Sequence, residues 1–279
     1  MKLGIPRRAV AAVTSGVLGL FVVALVGGCN STSGLQADNG PAASSVDLAP
    51  ALSHLHGLHM TAGGTLVAGT HTGLFAIDPA TGVTSRVGDS EDDFMGLTGV
   101  AGSDTLYSSG HPGRSSSAPN PLGLRASVDG GQTWTDKSLV GQVDFHALAA
   151  DRDILVGFDG TTGLRVSSDG GVTWSPGAAL AARSLATTAT GVWAITEIGL
   201  ERSTDSARSF SPVPDAPSLV MIAAAEQALW GLDENGYAWH SLDGTSWQQS
   251  SYVGPAEALT AIDNTTAYAA TNETLRLLS

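Results

Sequence analysis

The chain holds one cysteine in 279 residues. That single thiol excludes a disulfide framework, a cysteine-ligated zinc finger and dithiol redox chemistry. Positive charge is scarce as well: 13 Lys+Arg stand against 26 Asp+Glu, for a formal charge of −13. Such a surface repels a phosphate backbone and argues against nucleic acid as a partner. No G-x-S-x-G elbow occurs, and the glycine-rich stretches do not introduce helices, which argues against nucleophilic hydrolases and phosphate-binding loops. Only 14% of the residues are charged while 42% are hydrophobic, too apolar a mixture for disorder. The 35 glycines point to many tight turns within one large domain or two small ones.

The cysteine has a telling position. Lys2, Arg7 and Arg8 precede an apolar run over residues 9–26, whose end forms the stretch Leu25-Val26-Gly27-Gly28-Cys29 with the next three residues. A basic segment, an apolar segment and small residues before a cleavage point read as an export signal over residues 1–28. The last five residues resemble the lipobox of bacterial lipoproteins, which implies that Cys29 is lipidated and becomes the mature N-terminus. Residues 29–50 are then the lipidated cysteine and a Ser-, Gly- and Ala-rich tether, with the folded domain over residues 51–279. This places the domain at the cell membrane, lipid-anchored on the extracytoplasmic face. Loss of residues 1–28 removes three positive charges and no negative ones, taking the charge from −13 to −16.

One element recurs beyond the tether. Ser127-Val128-Asp129-Gly130-Gly131-Gln132-Thr133-Trp134 is followed by Ser167-Ser168-Asp169-Gly170-Gly171-Val172-Thr173-Trp174. A degraded copy runs from Ser203 through Asp205 to Phe210, and a shortened one from Ser241 through Asp243 to Trp247. The starts lie 40, 36 and 38 residues apart, the period of a four-stranded propeller blade. Short β-rich runs at 65–69, 105–108, 154–158, 192–196 and 228–232 supply further strands. The expectation is an all-β fold, a single six-bladed β-propeller of four-stranded blades. The last blade is one strand short, and the segment around residues 46–52 is expected to close it.

The S-x-D-x-G-x-T-W element resembles the Asp-box, or BNR repeat, of sialidases, sortilin-type receptors and photosystem II assembly-factor propellers. The resemblance implies a structural turn away from the usual ligand side, so that Asp129, Asp169, Asp205 and Asp243 brace turns while Trp134, Trp174 and Trp247 pack. Residues 54–279 are also similar to a bacterial lipoprotein group described as glycosyl-hydrolase-like or exo-sialidase-like. Its marks here are His54-Leu55-His56-Gly57-Leu58, Gly69-Thr70-His71-Thr72-Gly73-Leu74, Gly110-His111-Pro112 and Asp144-Phe145-His146-Ala147-Leu148. A sialidase also needs an arginine triad. Arg125, Arg165 and Arg202 each stand one or two residues before a box serine, which assigns them to the structural rim. A pair of carboxylates drawn from Asp93, Asp144 and Glu257 is the remaining glycosidase candidate.

Six of the seven histidines (54, 56, 59, 71, 111 and 146) fall within the first three blades. Aligning the opening strands brings His56, Met95 and His146 into register, with His54 on the face of His56 and Met221 near the same layer. His71 and His111 both follow second strands. Such convergence at one mouth either fills a polar channel or binds a metal. Imidazoles point to copper or zinc, and the Met95 thioether leans towards Cu(I). The acidic run Asp89-Ser90-Glu91-Asp92-Asp93 lacks EF-hand spacing and reads as a solvated inter-blade loop. The Pro- and Ser-rich loop 110–121 offers His111 and Arg114 as ligand contacts. The functional expectation is a ligand-binding or assembly module for an extracytoplasmic protein or glycan, with soft-metal binding at the mouth; the alternative is an exo-glycosidase acting on terminal sugars.

Overall fold

The structure, a computed structural model, describes residues 43–279. The export signal, Cys29 and most of the tether lie outside the described residues. Among the described residues, no helix is long and apolar enough to cross a membrane. Among the described residues the regular structure is all β, with six four-stranded antiparallel sheets in a ring and one two-stranded ribbon.

Strands are numbered in chain order and run from the axis outwards within each blade. Blade I is β2 (Leu55–Met60), β3 (Leu66–Thr70), β4 (Gly73–Ile77) and β5 (Thr84–Val87). Blade II is β7 (Thr98–Gly99), β8 (Leu106–Ser108), β10 (Leu124–Ser127) and β11 (Thr135–Ser138). It carries an extra two-stranded ribbon of β6 (Asp93–Phe94) and β9 (Gly110–His111). Blade III is β12 (Ala147–Asp151), β13 (Ile154–Phe158), β14 (Leu164–Ser167) and β15 (Ser175–Pro176). Blade IV is β16 (Ser184–Thr188), β17 (Gly191–Thr196), β18 (Gly199–Ser203) and β19 (Ser211–Pro212). Blade V is β20 (Leu219–Ala225), β21 (Ala228–Asp233), β22 (Tyr237–Ser241) and β23 (Gln248–Tyr252). Blade VI has β24 (Ala258–Ala261), β25 (Ala267–Ala270) and β26 (Thr274–Leu278), completed by β1 (Ser44–Asp47) from the other end of the chain.

That closure revises the tether boundary. β1 pairs antiparallel with β26, Val46 opposite Leu275, and the amides of Leu48 and Leu52 donate to the carbonyls of Glu273 and Asn272. The segment expected around residues 46–52 does close the last blade, starting at Ser44, so residues 44–50, also counted in the tether from sequence, belong to the ring. They read as linker because β1 is an outermost strand, mostly exposed and serine-rich, with its apolar anchors Leu48 and Leu52 placed after it.

The core lies between blades, where the face of each sheet packs on the next. Leu48, Leu52, Leu55 and Leu58 meet Ala258, Ala270 and Leu275 across the seam between blades I and VI. Inner strands are rich in alanine (Ala149, Ala186, Ala225, Ala258) because the wedges converge there, while Trp193 and Trp230, both 1% exposed, sit on second strands.

The repeated turn is closed by one hydrogen-bond scheme. Gly131 N–H donates to Ser127 Oγ (2.8 Å), Ser127 Oγ–H to Asp129 Oδ1 (2.7 Å), and the Thr133 amide and hydroxyl to the two Asp129 oxygens (3.0 and 2.6 Å). Ser167–Thr173 repeats it. So do the degraded copies at Asp205 and Asp243, where Ala207 adopts φ 61° in a glycine's place. Hydrogen bonds from Thr173, from its hydroxyl first, pull the Asp169 carboxyl down to about 2; the Ser209 hydroxyl and amide likewise hold Asp205 low, and the Ser246 and Thr245 amides hold Asp243 low. Gly130 and Gly170 amides donate to the carbonyls of Asp104 and Asp153, in the turns joining first and second strands. The boxes therefore sit at the end of the ring opposite the starts of the inner strands. Trp134 and Trp174 pack against Phe94 and Phe145, with ring centroids 5.0 and 4.9 Å apart.

Burial also sets an acid limit on the fold. His59 on β2 is 9% exposed, its ring lies against Gly99, and desolvation pushes it down from 6.5 to about 4. The unfolded chain takes up a proton near 6.5 and the native chain does not until about 4. Stability is thus full above pH 6.5 and is lost as pH falls towards 4, by about 3 kcal/mol at most from this ring. A series of thermal melts from pH 7.5 to 4.5 should show this decline, and His59→Leu should flatten part of it.

Candidate functional site

Inner strands begin at one mouth of a central cavity of about 670 Å³, lined by all six blades. The residue preceding the regular β12, β16 and β24 ladders donates its amide to the second strand: His146, Arg183 and Glu257. In blades I and V the equivalent residues, His56 and Val220, are bulged: Leu55 pairs with Thr70 and Gly57 with Gly69, leaving His56 unpaired between them. A bulge re-aims the extra side chain, here into the mouth. Matching His56-Gly57-Leu58 to Met95-Gly96-Leu97 gives blade II's residue as Met95. His56 and His146 line the cavity, whereas Met95 does not. Met221 falls one residue past Val220 and packs against the core between blades V and VI.

Three ligating side chains converge at the seam of blades I and II. His56 Nε2 lies 3.1 Å from His71 Nδ1, His71 Nδ1 lies 2.9 Å from Asp93 Oδ2, and His56 Nε2 lies 3.2 Å from Asp93 Oδ1. Atoms 2.0–2.1 Å from a shared tetrahedral ion would stand about 3.3 Å apart. Protons alone satisfy this arrangement poorly. If both nitrogens carry hydrogens towards Asp93, the two N–H groups crowd each other; if one lacks it, a lone pair faces a carboxylate. A cation between them resolves both conflicts. Burial, followed by His71 and His54 and opposed by Asp93, pushes His56 down to about 4 and keeps it a neutral, ligating imidazole near pH 7. The His56 and Asp93 side chains are 10% and 17% exposed and that of His71 is 49% exposed, so one side of the cluster opens to solvent.

Two further groups flank it. Glu257 Oε2 accepts from the Leu55 amide (2.8 Å) and stands 3.2 Å from His54 Nδ1, holding His54 across the seam of blades VI and I. The His54 ring lies 5.0 Å from that of His56 and 5.5 Å from that of His71. On the other side, Asp144 Oδ2 stands 3.1 Å from His146 Nε2 and 3.2 Å from His111 Nε2. The ribbon links this group to the first, because Asp93 and His111 are direct partners in it. The structure thus brings His54, His56, His71, His111 and His146 to one mouth, together with all three carboxylates considered from sequence.

Several sequence expectations change here. Met95 lies in the turn after β6, and it is Asp93, two residues earlier, that reaches the imidazoles. The acidic run is not simply solvated. Asp92 is 8% exposed, accepts from the Gly113 amide at Oδ1 (2.7 Å) and pairs through Oδ2 with Arg125 Nη1. It pins loop 110–121 to the strand end carrying Asp93, and Arg114 in that loop stays exposed. Arg125 is therefore a support of the mouth. Arg165 likewise pairs with Asp159 in the β13–β14 turn on this side, whereas Arg202 donates to Thr190 O in the far β16–β17 turn.

No protein-family model matches the chain, and no curated protein matches its sequence. Solved structures do match in shape. The chain is similar to YCF48 bound to D1 peptide, at 12% identity and TM-score 0.53 over 86% of this chain and 98% of that one. It is similar to the extracellular domain of BT4673, a one-component system of B. thetaiotaomicron, at 14% identity and TM-score 0.54 over 86% of this chain and 40% of that one. An ancestral GH74 enzyme aligns at 11% identity and TM-score 0.50, over 78% of this chain and 35% of that one. The chain spans well under half the length of these last two. At such identities the likeness establishes the β-propeller fold alone.

Proposed function

We propose that the protein is an Asp-box lipoprotein whose propeller, tethered through Cys29 to the extracytoplasmic face of the membrane, binds a divalent transition-metal ion at its mouth. The single observation that carries this is the convergence of His56 Nε2 and His71 Nδ1, 3.1 Å apart, on the Asp93 carboxylate, with His56 Nε2 3.2 Å from Oδ1 and His71 Nδ1 2.9 Å from Oδ2. Two imidazoles and a carboxylate suit zinc or Cu(II) better than Cu(I), which favours thiolates and thioethers. Three protein ligands with a solvent-facing side leave a coordination position free, through which a donor group of a protein or glycan ligand can bind. The extracellular and peptide-bound propellers among the similar structures are in keeping with a binding module.

The glycosidase alternative uses the same carboxylates in another way. Asp93, Asp144 and Glu257 each face imidazoles at 2.9–3.2 Å, an arrangement that favours holding a ligand over supplying a free acid and base. One preparation tests the reading: full chain, solubilised in detergent from the membrane fraction, dialysed against zinc or copper and passed through gel filtration. At least one equivalent of metal should remain bound. A chain absent from membranes contradicts the anchor. A metal-free chain that turns over aryl glycosides contradicts the metal reading.

A further inference from the structure

The mouth carries its donor set twice. Blades II and III open with Asp93-Phe94-Met95-Gly96-Leu97 and Asp144-Phe145-His146-Ala147-Leu148, and each phenylalanine packs on the tryptophan of a repeated turn. Each aspartate reaches back to an imidazole that follows a second strand of the preceding blade: Asp93 to His71, Asp144 to His111. Each also meets one imidazole at the mouth-facing position, His56 for Asp93 and His146 for Asp144. In blades IV to VI the residues equivalent to the aspartate are Ala181, Ser218 and Pro255, so the pattern belongs to two adjacent seams.

Resting on the metal reading of the first seam, we propose that His111, His146 and Asp144 form a second site for a divalent transition-metal ion of the same class. Asn120 Oδ1 lies 2.7 Å from His111 Nδ1 and accepts a hydrogen bond from it. In the neutral ring this leaves the Nε2 lone pair facing Asp144 Oδ2 at 3.2 Å, a contact that a cation between them makes attractive. Asp144 Oδ1 is buried without a hydrogen-bond partner. The second site is less gathered: among the described residues, only His56, His71 and Asp93 have their three ligand atoms within 4.8 Å of one another. Its two imidazoles, 47% and 56% exposed, have room to turn onto an ion. Binding should therefore be sequential, with the first seam filling at lower metal concentration.

Equilibrium dialysis of the full chain against zinc, read by elemental analysis, tests this. Wild type should hold two equivalents, Asp93→Asn and Asp144→Asn one each, and the double variant none. A His111→Ala/His146→Ala variant should match Asp144→Asn while melting at the wild-type temperature. One equivalent in wild type, lost with Asp93→Asn and kept in Asp144→Asn, overturns the second site and leaves the first standing. Two equivalents retained in the histidine pair variant also overturn it, including where Asp144→Asn fails to fold. No zinc in wild type overturns the metal reading beneath it.

Discussion

Replacing Asp93 with asparagine should weaken zinc binding at the first seam at least about 100-fold, as measured by competition with a chromophoric chelator. The side chain keeps its shape and loses its charge, so the two imidazoles 3.1 Å apart keep their places but face a neutral amide. His71→Ala should cost as much, since it removes a nitrogen that stands within 3.1 Å of both other ligands. Folding should be little affected in either variant. His71 lies in the β3–β4 turn with half its side chain in solvent, and the backbone at Asp93 is held by the pairing of β6 with β9 and by Asp92. Unchanged zinc affinity in both variants would mean that the cluster is a hydrogen-bonded polar patch.

Deleting residues 44–52 should lower the melting temperature by about 10–20 °C. The deletion removes the β1–β26 ladder and two leucines, Leu48 and Leu52, buried at 6% and 7% exposure in the seam of blades I and VI. Burial of each leucine is worth about 1.5–3 kcal/mol, and a domain of this size shifts by about 2–4 °C per kcal/mol. The loss also bares β26 as an open edge, so self-association should rise. Differential scanning calorimetry with light scattering reads both effects. A melt within a few degrees of the intact chain would contradict closure by β1. Zinc binding at the seam of blades I and II should survive the deletion at temperatures below the melt, because that seam lies on the other side of blade I.

What the sequence conveyed follows from which forces act locally. Blade number and strand order were legible because the turn repeats at blade spacing, and its Ser, Asp, Gly and Thr all bond within the same eight residues. Even the copy with Ala207 at φ 61° keeps the scheme, so degraded versions could be recognised. The common placement of His56 and His146 at the mouth was legible from the sequence match between opening strands. Which atom completes the cluster was not, because Asp93 and His71 meet across a seam between blades 22 residues apart in sequence. Alignment of the opening strands placed Met95 with the histidines, but a two-residue ribbon strand followed by a turn puts the Asp93 carboxylate there instead. Asp92 looked solvated for a similar reason: its partner Arg125 lies 33 residues on, beyond a long loop that a linear reading leaves unplaced. The equivalence of Asp93 with Asp144 was the signal in the sequence that could have found both carboxylates as ligands.

Zinc K-edge X-ray absorption on the zinc-loaded full chain addresses the coordination directly. The expected spectrum shows nitrogen and oxygen donors at about 2.0–2.1 Å with the outer-shell scattering of imidazole, and His71→Ala should reduce that scattering. A shell of six oxygens without imidazole, or a sulfur at about 2.3 Å, would contradict an ion held by His56, His71 and Asp93.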